Sequence, residues 1–131
     1  MSIWLRVILA ILVGAHGIGH ILFLMPLVSS AAWGQSAQSW LLGDGGLAKI
    51  VGSVIWLVAL LGFLAAAFGI FRETTWWQTV AIISAAVSTV GLILFWSKPA
   101  TSPVISALVF NVLILVALLV LHWPPIAQPS N

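Results

Sequence analysis

Two histidines in the first apolar stretch are the residues best suited to chemistry. His16 and His20 are four positions apart within the apolar run 3–25. On a helix this spacing puts both rings on one face, about a turn apart. A neutral imidazole donates or accepts a proton near pH 7 and also binds metals. Because ionisable side chains are costly inside a membrane, the pair is a candidate functional site.

The composition indicates the environment in which these rings must be held. Of the 131 residues, 63% are hydrophobic and only 5% are charged, whereas about a quarter of a soluble domain is charged. The sequence therefore predicts an integral membrane protein. Four Lys and Arg residues form no basic patch, which argues against a nucleic-acid partner. The lack of cysteine excludes disulfides and thiolate metal sites.

Four apolar stretches are long enough to cross a bilayer, which takes roughly 20 residues each. The connections after the second and third stretches are short and polar, so neighbouring helices should run antiparallel. We predict an all-α fold, an integral membrane four-helix bundle formed by residues 1–131 as a single membrane domain. Its spans are predicted at 3–25, 47–71, 76–96 and 103–121.

The first connection is the only long one, and it carries apolar residues at helical spacing. Trp33, Ala37, Trp40 and Leu41 recur on one face before a glycine-rich segment. This pattern predicts a short interfacial helix between spans 1 and 2.

The positive charges near the span ends give no orientation by themselves. Arg6 and Arg72 fall on one side, whereas Lys49 and Lys98 fall on the other. Because each side has two positively charged side chains, the α-amine is the one additional positive charge, so the N-terminus is expected inside.

Each predicted span contributes a polar or aromatic residue at a similar depth. With a rise of about 1.5 Å per residue, these residues lie about 18–21 Å from the N-terminal side. His20 lies a turn beyond this layer, near Ser106. Asn111 and Ser106 cannot both face inward, and Asn111 is the costlier residue to leave in lipid. The predicted ligand-binding residues are His16, His20, Ser53, Trp56, Ser88 and Asn111.

Three ligand chemistries suit the histidines. A divalent metal fits the H-x-x-x-H spacing of His16 and His20, with Asp44 as the nearest third ligand. Haem bound by one imidazole is a second possibility, because His122 lies at the wrong surface to complete a bis-histidine pair. The third is a quinone, sterol or similar lipophilic molecule whose polar head enters an apolar cleft.

Two other kinds of function remain open. His16, Ser88 and Asn111 could line a path through a small oligomeric channel or transporter. The histidines could instead only hold helices together, bonded to carbonyls or to Ser and Asn, in an accessory subunit of a larger complex. The expected partners are therefore the bilayer and either further copies of the chain or a membrane complex.

Several of these residues also carry a resemblance. His16-Gly17-Ile18-Gly19-His20, Trp76-Trp77, Leu94-Phe95-Trp96 and Asn111 resemble small uncharacterised bacterial four-span proteins with an H-G-x-x-H first helix. More remotely, the chain looks like the DoxX-like four-helix membrane families, some of which are linked to redox or lipid-soluble partners. The resemblance implies a four-helix bundle in a bacterial plasma membrane and supplies no catalytic role.

Overall fold

The predicted four-helix architecture is confirmed. The computed structural model describes residues 1–30 and 35–125, and its regular elements within those ranges are helices. Four helical segments are long and apolar enough to span a membrane, which fits a membrane protein. Their bounds lie within three residues of the predicted ones. These segments are Ile3–Val28, Gly46–Phe71, Trp77–Leu94 and Ser102–Val120.

The first span consists of two helices, α1 (Ile3–Gly19) and α2 (Ile21–Val28), with His20 between them. The backbone N–H of His20 donates to the Gly17 carbonyl, three residues back. The His20 ring Nδ1 lies 3.0 Å from the His16 carbonyl, four residues back. A side-chain N–H thus bonds the carbonyl four residues back, where an α-helix would use the backbone N–H. Such insertions into the helical ladder are a known cause of helix breaks.

The other spans are α3 (Gly46–Phe71), α4 (Trp77–Leu94) and α5 (Ser102–Leu115), which continues into a π-helical turn, Val116–Val120. Helix α3 packs against α1 and α2 on one side and against α4 on the other, and α4 packs against α5. Within the described residues, the α1 and α5 backbones approach each other less closely than the other neighbouring pairs, and side chains bridge the two spans, such as Val13 and Leu118 in one core cluster. A cleft between the first span and α5 is lined by His16, His20 and Ser106.

Gly17 sets how closely α1 approaches α3. A Cβ at Gly17 would lie 2.8 Å from the Phe63 Cβ and 3.3 Å from the Leu60 carbonyl oxygen. No larger residue fits this contact without displacing a helix. Small residues allow such close approach between membrane helices, and here the approach brings the flanking histidines onto α3.

The predicted interfacial helix between spans 1 and 2 is wrong for the residues described. Residues 35–45 form bends and a tight turn in which Ser39 and Gly43 pair, with Gly43 at φ 77°. Trp33, one of the residues that suggested this helix, lies outside the described residues. Ser39 and Trp40 instead donate to the carbonyls of Leu94 and Ile93, at 2.7 and 2.6 Å. The turn is favoured because it caps carbonyls left unpaired at the end of α4.

Candidate functional site

Four of the six predicted ligand-binding residues form one hydrogen-bonded network across three spans. His16 Nε2 lies 2.9 Å from Asn111 Oδ1. Asn111 Nδ2 donates to Ser88 Oγ at 2.8 Å, and Ser88 Oγ lies 2.7 Å from His20 Nε2. Ser88, Asn111 and His20 are at most 1% exposed. The preference for Asn111 over Ser106 as the inward residue is confirmed, since Ser106 is exposed and bonds only the Pro103 carbonyl.

A backbone carbonyl sets the direction of this network. The His16 carbonyl can only accept, so Nδ1 of His20 must carry the proton that bonds it. In a neutral His20, Nε2 is then an acceptor, and the Ser88 hydroxyl donates to it. Ser88 consequently accepts from the Asn111 amide, which leaves Asn111 Oδ1 to accept from Nε2–H of His16. Each of the four side chains thus donates one hydrogen bond to the next, and the series ends at the His16 carbonyl.

The network leaves Nδ1 of His16 unused. With its proton on Nε2, a neutral His16 has a lone pair on Nδ1, and this atom has no hydrogen-bond partner among the described residues. The side-chain atoms there that are both buried and unpaired are Arg6 Nε and Ser97 Oγ. His16 is half-buried, and its Nδ1 is therefore accessible from outside the bundle.

Aromatic side chains hold both imidazoles in place. The His16 ring stacks on Phe110, with centroids 4.3 Å apart, and meets Phe63 edge-on at 4.7 Å. The His20 ring stacks on Phe63, with centroids 5.4 Å apart, and lies tilted against Trp56 at 6.0 Å. These contacts restrict the orientation of each ring and give the polar network an apolar surrounding.

A cavity of about 200 Å³ lies on the cleft side of the bundle, between the first span and α5. Both histidines contribute to its wall, and none of its lining residues carries an acidic or basic side chain other than these imidazoles. Its wall also includes Gly19, Phe23, Ser106 and Ala107. The cavity therefore combines apolar walls with few polar groups, as small-molecule sites do.

Not every predicted residue belongs to the network. Trp56 packs near His20 without a hydrogen bond to it. Ser53 is half-buried and makes no hydrogen bond to the other candidates within the described chain. Phe63 and Phe110, which pack against the His16 ring, are not among the predicted site residues. The only signal for Phe110 is its position next to Asn111.

The metal and haem hypotheses are less well matched to these side chains. Three of the four ring nitrogens of His16 and His20 already make hydrogen bonds. No group of three His, Cys, Asp or Glu residues in the described ranges could hold a metal ion, so Asp44 does not complete a site. A metal shared by both rings would require the network to open. Neither hypothesis is tested by this geometry, and both stay predictions.

The comparisons with known proteins provide no relative to guide the assignment. No family model, no curated protein and no solved structure matches the chain. The similarity to four-span proteins with an H-G-x-x-H helix, and to the DoxX-like families, therefore remains a prediction.

Proposed function

We propose that this protein binds a lipophilic molecule whose polar head enters the cleft between the first and fourth spans. The observation that carries the proposal is the unused Nδ1 of His16, an accessible acceptor on a residue that lines a cavity at this cleft. A polar atom without a partner in apolar surroundings is unfavourable. A ligand that supplies the missing donor therefore gains a hydrogen bond for which lipid tails cannot compete.

The size of the cavity supports a small head group. Complete pockets for drug-sized ligands measure roughly 300–1,000 Å³, whereas this cavity measures about 200 Å³. An apolar cavity of about 150 Å³ accommodates benzene. A single six-membered ring therefore fits inside, and an attached alkyl tail would lie along the bundle among the lipids.

A redox-associated subunit is a narrower form of this proposal, in which the lipophilic molecule is an electron carrier. The channel and accessory-subunit alternatives have less support. Ser88 and Asn111, which a channel would need along its path, are fully buried and bonded to each other. An accessory subunit does not require an unpaired acceptor beside a cavity.

A cavity-filling variant tests the proposal. A Cβ added at Gly19 meets no atom within 4 Å, and Gly19 lines the cavity, so we expect the larger side chain of Gly19→Leu to extend into this space without displacing a helix. The matched control is Gly46→Leu, which adds the same side chain in open space at the start of α3. The probe is tritiated para-hexylphenol, and binding is measured by scintillation proximity with the protein in nanodiscs.

We expect saturable binding with one site per chain in the wild type and in Gly46→Leu, and loss of this binding in Gly19→Leu. Only a ligand within the cleft is displaced by a side chain there. Non-saturable uptake by all three proteins, or equal saturable binding in Gly19→Leu, would overturn the proposal. A visible absorption spectrum of each purified protein detects a haem or another coloured cofactor retained from the membrane.

A further inference from the structure

The geometry points to a ligand class: a neutral molecule with a single hydroxyl-bearing ring, of the phenol or hydroquinone type, whose hydroxyl donates to Nδ1 of His16. This inference rests on the proposed function and adds the chemistry by which the cleft chooses its ligand. The relevant features are the direction of the hydrogen-bond network, the absence of charged lining residues and the size of the cavity.

The direction of the network makes His16 an acceptor toward the cleft. Its single N–H is on Nε2 and donates to Asn111 Oδ1 at 2.9 Å. If the Asn111 amide turned around, its NH₂ would face the imidazole and its oxygen would require a proton from Ser88. Ser88 would then need a second proton on His20, whose Nδ1 already donates to the His16 carbonyl. The assigned direction is the one that keeps both imidazoles neutral within the bundle.

The lining of the cavity argues for an uncharged ligand. Apart from the imidazoles, no residue that lines it carries an ionisable side chain. A carboxylate or phosphate there would lose its hydration without a cationic partner, and an ammonium group would lack an anionic one. A hydroxyl satisfies the His16 acceptor without this cost.

The ligand ring is limited by shape as well as by polarity. The cavity of about 200 Å³ has room for one six-membered ring, and Phe23 contributes an aromatic side chain to its wall. A flat macrocycle exceeds this volume and would extend out of the cavity into the lipid. A substituted phenol places its ring inside, its hydroxyl on His16 and its tail in the bilayer.

One consequence is discrimination between oxidation states. A hydroquinone has hydroxyl donors, whereas the corresponding quinone has only carbonyl acceptors. Because Nδ1 of His16 is also an acceptor, the quinone gains no hydrogen bond from it. The cleft should therefore retain the reduced form and release the oxidised form.

The inference is tested with two probes that differ only in the donor. In nanodiscs containing the wild-type protein, para-hexylphenol is compared with para-hexylanisole, in which a methyl group replaces the hydroxyl hydrogen. Both affinities are expressed relative to the probe concentration in the lipid, which removes the difference in partitioning. We expect the phenol to bind about tenfold more tightly, the value for one hydrogen bond of about 1.4 kcal/mol. The affinity for hexylhydroquinone should exceed the affinity for hexylbenzoquinone by a similar factor.

The outcomes separate this inference from the proposed function. Equal affinities for the phenol and the anisole, with both lost in Gly19→Leu, would overturn the donor requirement and leave the binding site in place. Absence of saturable binding by any probe would overturn both. A preference for the hydroxyl probe that persists unchanged in Gly19→Leu would place the selective site outside the cleft and contradict the inference.

Asn111 provides a second test as a positioning residue. In Asn111→Leu, the proton of His16 is no longer held on Nε2, and the ring can present an N–H toward the cleft. The ratio of hexylhydroquinone to hexylbenzoquinone affinity should then fall toward one, with tighter binding of the quinone than in the wild type. The matched control is Thr89→Val, which removes a hydroxyl that bonds the Ala85 carbonyl of its own helix, outside the residues that line the cavity, and should keep the wild-type ratio. An unchanged ratio in a folded Asn111→Leu protein would contradict the mechanism.

Discussion

His16 and His20 are the same residue type one helical turn apart, yet their surroundings differ. His20 is 1% exposed and has hydrogen bonds at both ring nitrogens, to the His16 carbonyl and to Ser88. His16 is half-buried, has one hydrogen bond to Asn111 and lines the cavity at the cleft. The His20 ring closes a network inside the bundle, whereas the His16 ring leaves a hydrogen-bond acceptor at the edge of the bundle.

The difference between the two rings follows from how the helices pack. Helix α3 is in close contact with both the first span and α4, so a side chain between them is enclosed and must find all its partners inside. Between the first span and α5 the backbones are farther apart, and His16, which lines the cavity there, retains an accessible face. A polar residue whose hydrogen-bonding atoms are all paired stabilises the fold, whereas one with an unpaired donor or acceptor can bind a ligand.

Replacing each histidine by leucine should separate these roles in the free energy of unfolding. His20→Leu removes the donor from the His16 carbonyl and the acceptor from Ser88, both within the bundle, and we expect a loss of about 3 kcal/mol. His16→Leu removes one hydrogen bond at a half-buried position, and we expect a loss of about 1 kcal/mol. Unfolding by SDS in mixed micelles measures both. Equal losses would show that the two positions are energetically alike.

Alanine substitutions at the two glycines next to these histidines test the difference between the packed side and the open side of the first span. Gly17→Ala introduces a Cβ 2.8 Å from the Phe63 Cβ and should destabilise the fold by about 2 kcal/mol through overpacking. Gly19→Ala meets no atom within 4 Å and should be neutral or stabilise by up to about 1 kcal/mol, because alanine favours helix. The same SDS titration applies. A destabilised Gly19→Ala would contradict an open cleft.

The smallest effect is a spectroscopic one that involves no change in stability. Nitrogen NMR of the isotope-labelled histidines should detect opposite neutral tautomers: the proton on Nε2 in His16 and on Nδ1 in His20. The pairing follows because the His16 carbonyl and Asn111 Oδ1 both act as acceptors. His122, outside the network, serves as the reference signal. Identical tautomers in His16 and His20 would refute the assigned direction of the network.

Much of the candidate site is predictable because a membrane helix restricts where a residue can be. A rise of about 1.5 Å per residue and alternating span directions predict that His16, Ser88 and Asn111 share a depth, and the hydrogen bonds confirm that these three meet. Depth contains no information on which helices are neighbours. Ser53 has a suitable depth and still makes no hydrogen bond with the network among the described residues.

The first connection shows where local pattern is insufficient. Apolar residues at helical spacing predict a helix around Trp40, but the backbone at Ser39 and Gly43 forms a turn. The competing interaction is long-range, because Ser39 and Trp40 donate to carbonyls at the end of α4. Those carbonyls are more than fifty residues away in the chain, so the sequence pattern around Trp40 contains no sign of them.

The sequence by itself determined the four apolar spans and the identity of the polar residues within them, because hydrophobic length and the cost of polar groups in lipid are properties of composition. Tertiary structure alone decided that the first span breaks at His20, that Gly17 brings α1 onto Phe63, and that α1 and α5 leave a cleft beside His16. These features depend on which helices are in contact and how closely. The physical reason is that the neighbours of a polar side chain decide which of its hydrogen-bond donors and acceptors remain without a partner.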